Sequence, residues 1–168
     1  MWPLEGGYHD AVTFNDDAVT ESAEVLQAAA GLAAGLGTGR EPNMEDWSFV
    51  PQALRVRAKA AVAKAMDCIL RAQVRVPAEG GKGTALTIWP QQADPLTLRP
   101  VAGRNFEPEA LSTGESASLM EYLMRQPRPT KAMVLAIQAA AAWIDAHRIM
   151  GYESVSYTHL TLPTKRIV

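Results

Sequence analysis

One cysteine, Cys68, stands among 168 residues, so an internal disulfide is excluded and a cysteine-built zinc site has no basis. It sits in the apolar run 66–70 and reads as a small buried hydrophobe. Charge of either sign is nearly balanced, at net -2. The basic excess of a nucleic-acid-binding surface is therefore missing. A mildly acidic surface still allows arginines to line a cleft for an acidic substrate. No apolar run approaches the roughly 18 residues of a membrane span, so no membrane partner is expected. The start, Met1-Trp2-Pro3-Leu4-Glu5, has neither a basic nor an apolar leader segment, so no secretory leader is read there. What the chain does have is 48% hydrophobic residues, enough for one domain with a real core.

Periodicity predicts four helices. Residues 1–14 read as loop, because Trp2-Pro3 and Gly6-Gly7 interrupt the chain. Asn15-Asp16-Asp17 offer short polar caps and suit the positive end of a helix dipole. Val19, Ala23, Leu26, Ala30 and Ala33 then recur at helical steps to about Leu36, with Gly35, Gly37 and Gly39 as the stop. Pro51 suits the first turn of a second helix running to about Gln73, with Leu54, Ala58, Ala61, Val62, Ala65, Cys68 and Ile69 on one side. Ser112-Thr113-Gly114-Glu115 fits a capping box for a third helix ending near Arg125. Thr130 caps a fourth, which presents Val134, Ile137, Ala141 and Ile144 and ends near Met150-Gly151. Between the second and third helices, residues 74–111 have no helical period. Pro90, Pro95, Pro100 and Pro108 block regular structure there, while 84–89 reads as a short strand or extended segment. Trp89, Leu96, Leu98, Val101 and Phe106 make this stretch too apolar for disorder, so an ordered, functional loop is expected.

Three clusters could carry chemistry. Tyr8-His9-Asp10 with Asn15-Asp16-Asp17 could give oxygens to a hard cation, or simply cap a helix and stay solvated. Lys82 with Trp89, Gln91, Gln92 and Asp94 offers an aromatic face, amides and charge, as a sugar-acid site requires; an ordinary polar loop anchored by a tryptophan would look the same. Arg104-Asn105-Phe106-Glu107 leads to 112–115. Its arginine could grip a carboxylate bidentately or pair with a neighbouring acid. No nucleophile elbow, phosphate-cradling loop or paired-cysteine motif is present.

Two strings resemble a known family. Residues 6–18, centred on Thr13-Phe14-Asn15-Asp16, are similar to the Thr-Phe-Asn-Asp block of family 10 pectate lyases. Trp89-Pro90-Gln91-Gln92-Ala93-Asp94-Pro95-Leu96-Thr97-Leu98, running into Arg104-Asn105-Phe106-Glu107 and Ser112-Thr113-Gly114-Glu115-Ser116, is similar to a later block of the same family. Order and separation also agree, and the resemblance covers about residues 2–153.

The resemblance implies an all-α fold, part of an incomplete α/α toroid with a long ordered loop. It implies calcium-dependent anti-β-elimination on homogalacturonan by a secreted or periplasmic enzyme that is monomeric at full length. It makes Asp16 the calcium-site carboxylate and Arg104 the substrate-carboxylate ligand, with Lys82, Trp89, Gln91 and Asp94 in the cleft-lining segment. Gly103 stands where the family leads one to expect alanine. An Ile-Asp-Asn motif is expected upstream of Met1, and the catalytic arginine in a segment beyond Glu153, so no catalytic residue is assigned in this chain. Residues 154–168 resemble a translated sequencing-adapter tail and are set apart from the native 1–153. The expectation is then a piece of the module with supporting parts of the site and no turnover alone. Two alternatives remain: a non-catalytic carbohydrate-binding module, and a glycoside hydrolase on a related α/α toroid, for which Asp16 with Asp94 or Glu107 would be the acid pair.

Overall fold

The computed structural model describes residues 10–32 and 47–150. The proposed helix stop at Gly35, Gly37 and Gly39, Tyr8 and His9 of the first cluster, and the 154–168 tail lie outside the described residues. Helices α1 (Ala18–Ala29), α2 (Gln52–Ala72), α3 (Thr113–Met124) and α4 (Lys131–Ala146) frame four short strands. These are β1 (Val12–Thr13), β2 (Arg75–Pro77), β3 (Thr84–Leu86) and β4 (Gln92–Ala93).

The strands correct the all-α expectation. β2 and β3 form an antiparallel hairpin with Val76 opposite Ala85, and β1 pairs antiparallel with β4, with Thr13 opposite Gln92. The described elements do not make an α/α toroid: α1 packs on α2, α3 packs on α4, and the two small sheets lie among them. The physical reason is in the 74–111 stretch. It has no helical stripe, yet Thr87, Ile88, Trp89, Gln92 and Ala93 are buried. Backbone N–H and C=O groups taken out of water need partners, and in this stretch they find them across strands and bridges.

One core joins these parts. Phe14, Ile69, Ala72, Ile88, Trp89, Ala93, Leu119, Tyr122, Leu123, Met133, Ala136 and Ala140 all belong to it. Along α2 the buried residues Ala58, Val62, Ile69 and Ala72 fall close to the predicted stripe, although Leu54 is exposed. On α4 the buried stripe is Met133, Ala136 and Ala140, one residue before the predicted Val134, Ile137 and Ala141. Gln73 ties three elements together, because its side-chain amide donates to the Thr87 and Ala136 carbonyls at 2.9 Å each.

The helix ends depart from the sequence reading in instructive ways. α1 ends at Gly31, whose φ of +68° gives the left-handed C-terminal turn. Leu32 N–H donates to the Gln27 carbonyl at 3.0 Å and Gly31 N–H to that of Ala28 at 3.0 Å, which completes a Schellman motif. At the other end Asp17 makes no side-chain cap, since 15–17 wind into a 3-10 turn. Ser112 also makes no cap to backbone; its hydroxyl meets the Glu115 carboxylate instead. Thr130 caps as expected, its Oγ1 accepting from Met133 N–H at 3.2 Å.

Candidate functional site

The chain from Trp89 to Asp94 is the axis of the site. On one side β1 lies against it, and Phe14 N–H donates to the Gln91 carbonyl at 2.9 Å. On the other, Val101 N–H donates to the Gln92 carbonyl at 3.1 Å and Asp94 N–H to that of Arg99 at 2.8 Å. Further along, Ser112 N–H donates to the Trp89 carbonyl at 3.0 Å. The strings 13–16, 89–94 and 112–116, far apart in sequence, are therefore bound to one another through backbone hydrogen bonds.

Trp89 fixes this axis from below. It is fully buried, and its indole Nε1–H donates to the Ile69 carbonyl at 2.7 Å. Its own amide donates to Ser116 Oγ at 2.9 Å. The ring is a core anchor and presents no face for a sugar.

Arg104 sits in a tight turn. Glu107 N–H donates to the Arg104 carbonyl at 2.7 Å, and Arg104 N–H returns a bond to Glu107 Oε2 at 2.9 Å. The guanidinium donates to Glu107 Oε1 and lies 4.8 Å from the centroid of the Phe106 ring. Half of the Arg104 side chain stays exposed, at 50%, against 9% for Glu107. Hydrogen bonds from the Arg104 guanidinium and amide hold the Glu107 carboxyl below the usual carboxylate range, and the Gln91 side chain adds to this. Gly103 packs into the same knot: a methyl there would stand 2.5 Å from both Gln92 Nε2 and Glu107 Oε2. The expected alanine would not fit without displacing both side chains. Gln91, Gln92, Gly103, Arg104 and Glu107 thus form one group.

The remaining candidates lie around this group or away from it. The Asp94 carboxylate closes its own turn, with Oδ1 accepting from Leu96 N–H at 3.0 Å, Thr97 N–H at 2.7 Å and Thr97 Oγ1 at 2.9 Å. The bonds from Thr97 lower its pKa. Lys82 is exposed at the tip of the β2–β3 hairpin, flanked by Gly81 and Gly83 at positive φ. Asp16 and Asp17 are exposed on consecutive left-handed residues, at φ 52° and 57°. Each non-glycine residue held there costs about 1 kcal/mol. The surroundings that hold them are Thr20, whose hydroxyl donates to the Asp17 carbonyl at 3.0 Å, and α3, which packs against the 3-10 turn.

Calcium takes roughly six to eight oxygen ligands. Asp16 and Asp17 present oxygens of the right hardness, but no three His, Cys, Asp or Glu side chains among the described residues are grouped to hold a metal ion. Asp16 could supply one carboxylate to a site whose other oxygens come from elsewhere. The described residues do not make a complete one.

Glu107 and Gln92 are the residues that sequence reasoning underweighted. The Arg104–Glu107 spacing of three residues, closed by a turn, was the available signal; the burial of Gln92 had none, because it depends on β1 crossing from the far end of the chain.

A family model described as pectic acid lyase matches residues 1–168, and the chain belongs to that family. Two solved structures of a family 10 polysaccharide lyase from Cellvibrio cellulosa are similar to it. One matches with 34% identity and a TM-score of 0.71 over 90% of this chain and 42% of that one. The other is an aspartate-to-alanine variant in complex with trigalacturonic acid, at 34% identity and a TM-score of 0.67 over 86% of this chain and 40% of that one. The chain therefore spans about two fifths of the length of these structures. No curated protein matches it.

Proposed function

We propose that these residues form part of the pectate-binding cleft of a lyase that cleaves polygalacturonate by β-elimination. The observation that carries the proposal is the assembly of 13–16, 89–94 and 103–107 into one hydrogen-bonded site around a half-exposed arginine. The chemistry suits that site. Elimination removes the C5 proton of a galacturonate while the C4–O bond breaks. The developing negative charge spreads into the neighbouring carboxylate, so a cation on that carboxylate lowers the barrier. Arg104 can grip a carboxylate with its planar fork, and Gln91 can hydrogen-bond hydroxyls. Calcium, when bound, would supply further charge neutralisation, with Asp16 as one of its ligands. Lys82 stands as an outlying cation for a polyanionic substrate, while Asp94, whose carboxylate closes the 94–97 turn, shapes the loop beside the site. Secretion follows from the substrate, since polygalacturonate is a cell-wall polymer; no helix among the described residues is long and apolar enough to cross a membrane.

The hydrolase alternative is disfavoured on a specific ground. Both candidate partners of Asp16 are engaged in their own turns: the Asp94 carboxylate accepts from Leu96 and Thr97, and the Glu107 carboxylate is bound to the Arg104 guanidinium and amide, so neither is presented to a glycosidic bond.

The test is calorimetric binding of trigalacturonate, together with incubation on polygalacturonate and calcium while following the ultraviolet absorbance of unsaturated product. Binding is expected, and Arg104→Ala should weaken it roughly ten-fold or more, the worth of a charge-assisted pair. Elimination by this chain alone is not expected. Failure to bind trigalacturonate, or binding indifferent to Arg104→Ala, would overturn the proposal.

A further inference from the structure

We infer that Glu107 is a positioning residue: it holds the Arg104 guanidinium against Phe106 in the orientation that receives a substrate carboxylate. This rests on the reading of Arg104 as a pectate ligand, and adds to it the residue that makes the arginine effective.

An arginine on a surface loop samples many rotamers, an entropy that binding must otherwise remove. Here the turn removes much of it beforehand. Glu107 bonds the Arg104 amide at 2.9 Å with one oxygen and the guanidinium with the other, so it fixes both ends of the side chain. Its own amide returns to the Arg104 carbonyl at 2.7 Å, and its carbonyl accepts from Gly103 N–H at 2.9 Å. Phe106 lies 4.8 Å from the guanidinium carbon, so the planar cation rests on a ring that is itself 73% exposed. The carboxylate is the buried partner and the guanidinium the exposed one, which is the arrangement of a support and a presented group. The reading of Arg104 as paired with a neighbouring acid and the reading of it as a substrate ligand are therefore compatible.

Glu107 also reaches Gln91 and stands beside Gln92 and the Gly103 backbone. It couples the arginine turn to the β4 axis. The pocket leaves no spare volume at position 103, so Gly103→Ala should disturb the carboxylate without altering any charge.

Two measurements on the full chain test this. The first needs no ligand: 15N relaxation of the Arg104 Nε–H. It should be as ordered as the backbone in the wild type and mobile in Glu107→Ala and Gly103→Ala, with Glu107→Gln in between because it keeps an acceptor. An equally ordered Arg104 in Glu107→Ala, or a mobile one in the wild type, overturns the inference. The second is a double-mutant cycle on trigalacturonate binding. Glu107→Ala should weaken binding about five- to ten-fold, and adding it to Arg104→Ala should change nothing further. Independent, additive losses would show that Glu107 does not act through Arg104. Thermal unfolding of each variant identifies any that fail to fold, and Glu107→Gln then carries the comparison. If the wild type binds no trigalacturonate, the proposed function fails, while the relaxation experiment still decides the role of Glu107.

Discussion

Tyr122 is buried between α1 and α3, and its hydroxyl donates to Gln27 Oε1 at 3.2 Å. Burial, with Glu24 nearby, pushes its pKa up from the ordinary value to about 12. Because the folded value is raised, its contribution to stability is whole below pH ~10 and disappears as pH rises towards about 12. Asp94 and Glu107 have the opposite sign: their lowered values give stability that is present above the ordinary carboxylate range and lost as pH falls through the folded value. Melting temperature against pH should therefore fall on both limbs, with Tyr122→Phe flattening the alkaline limb and Glu107→Gln reducing the acid one. Limbs unchanged in these variants would contradict the assignment. At this scale the sequence was informative about residue type and silent about burial. Arg104, Gln91 and Asp94 were visible as polar groups in one stretch. That Trp89 points into the core and Asp94 closes its own turn depends on α2, through Ile69, and on the left-handed backbone of Leu98, at φ 57°.

Among the elements, the helices were legible because each has an apolar stripe and a boundary signal. Pro51, Ser112 and Thr130 stand at the N-caps of α2, α3 and α4. The α1 terminus was misplaced because Gly31 sits inside an alanine-rich stretch that continues the period beyond it. Its φ of +68° is costly for any residue with a Cβ, and a methyl there would stand 3.2 Å from Arg55 Nη1. Gly31→Ala should cost about 1–2 kcal/mol in urea unfolding. An unchanged midpoint would show that the Schellman turn can rearrange. Of the strands, β3 falls inside the 84–89 segment that reads as a short strand or extended, while β1, β2 and β4 were hidden for a different reason: two- and three-residue ladders have no room for an alternating pattern. The one-residue offset of the α4 stripe has a similar origin. Met133, Ala136 and Ala140 are chosen by what α3 and β3 present, and an alanine-rich helix offers almost as apolar a surface on the adjacent face.

Across the whole molecule, Trp89 is where helix packing and site geometry meet. Its ring is bonded to α2 and its amide to α3, while the segment that follows it holds β4, which pairs with β1 and accepts from Val101 N–H just before the arginine turn. Trp89→Ala should cost about 3–5 kcal/mol and remove trigalacturonate binding together with the fold; loss of binding with an unchanged urea midpoint would mean that the ring itself contacts the ligand. The β1–β4 ladder has a kinetic consequence. Two residues on each side, Val12 with Ala93 and Thr13 with Gln92, hold together segments separated by roughly half the chain. Closing so long a loop costs conformational entropy that so short a ladder cannot recover by itself. The pairing must wait until α1, α2 and α3 have already brought the ends near each other. Folding should therefore proceed from the helices inward, with the cleft assembled last, on a scaffold whose helices are already in place.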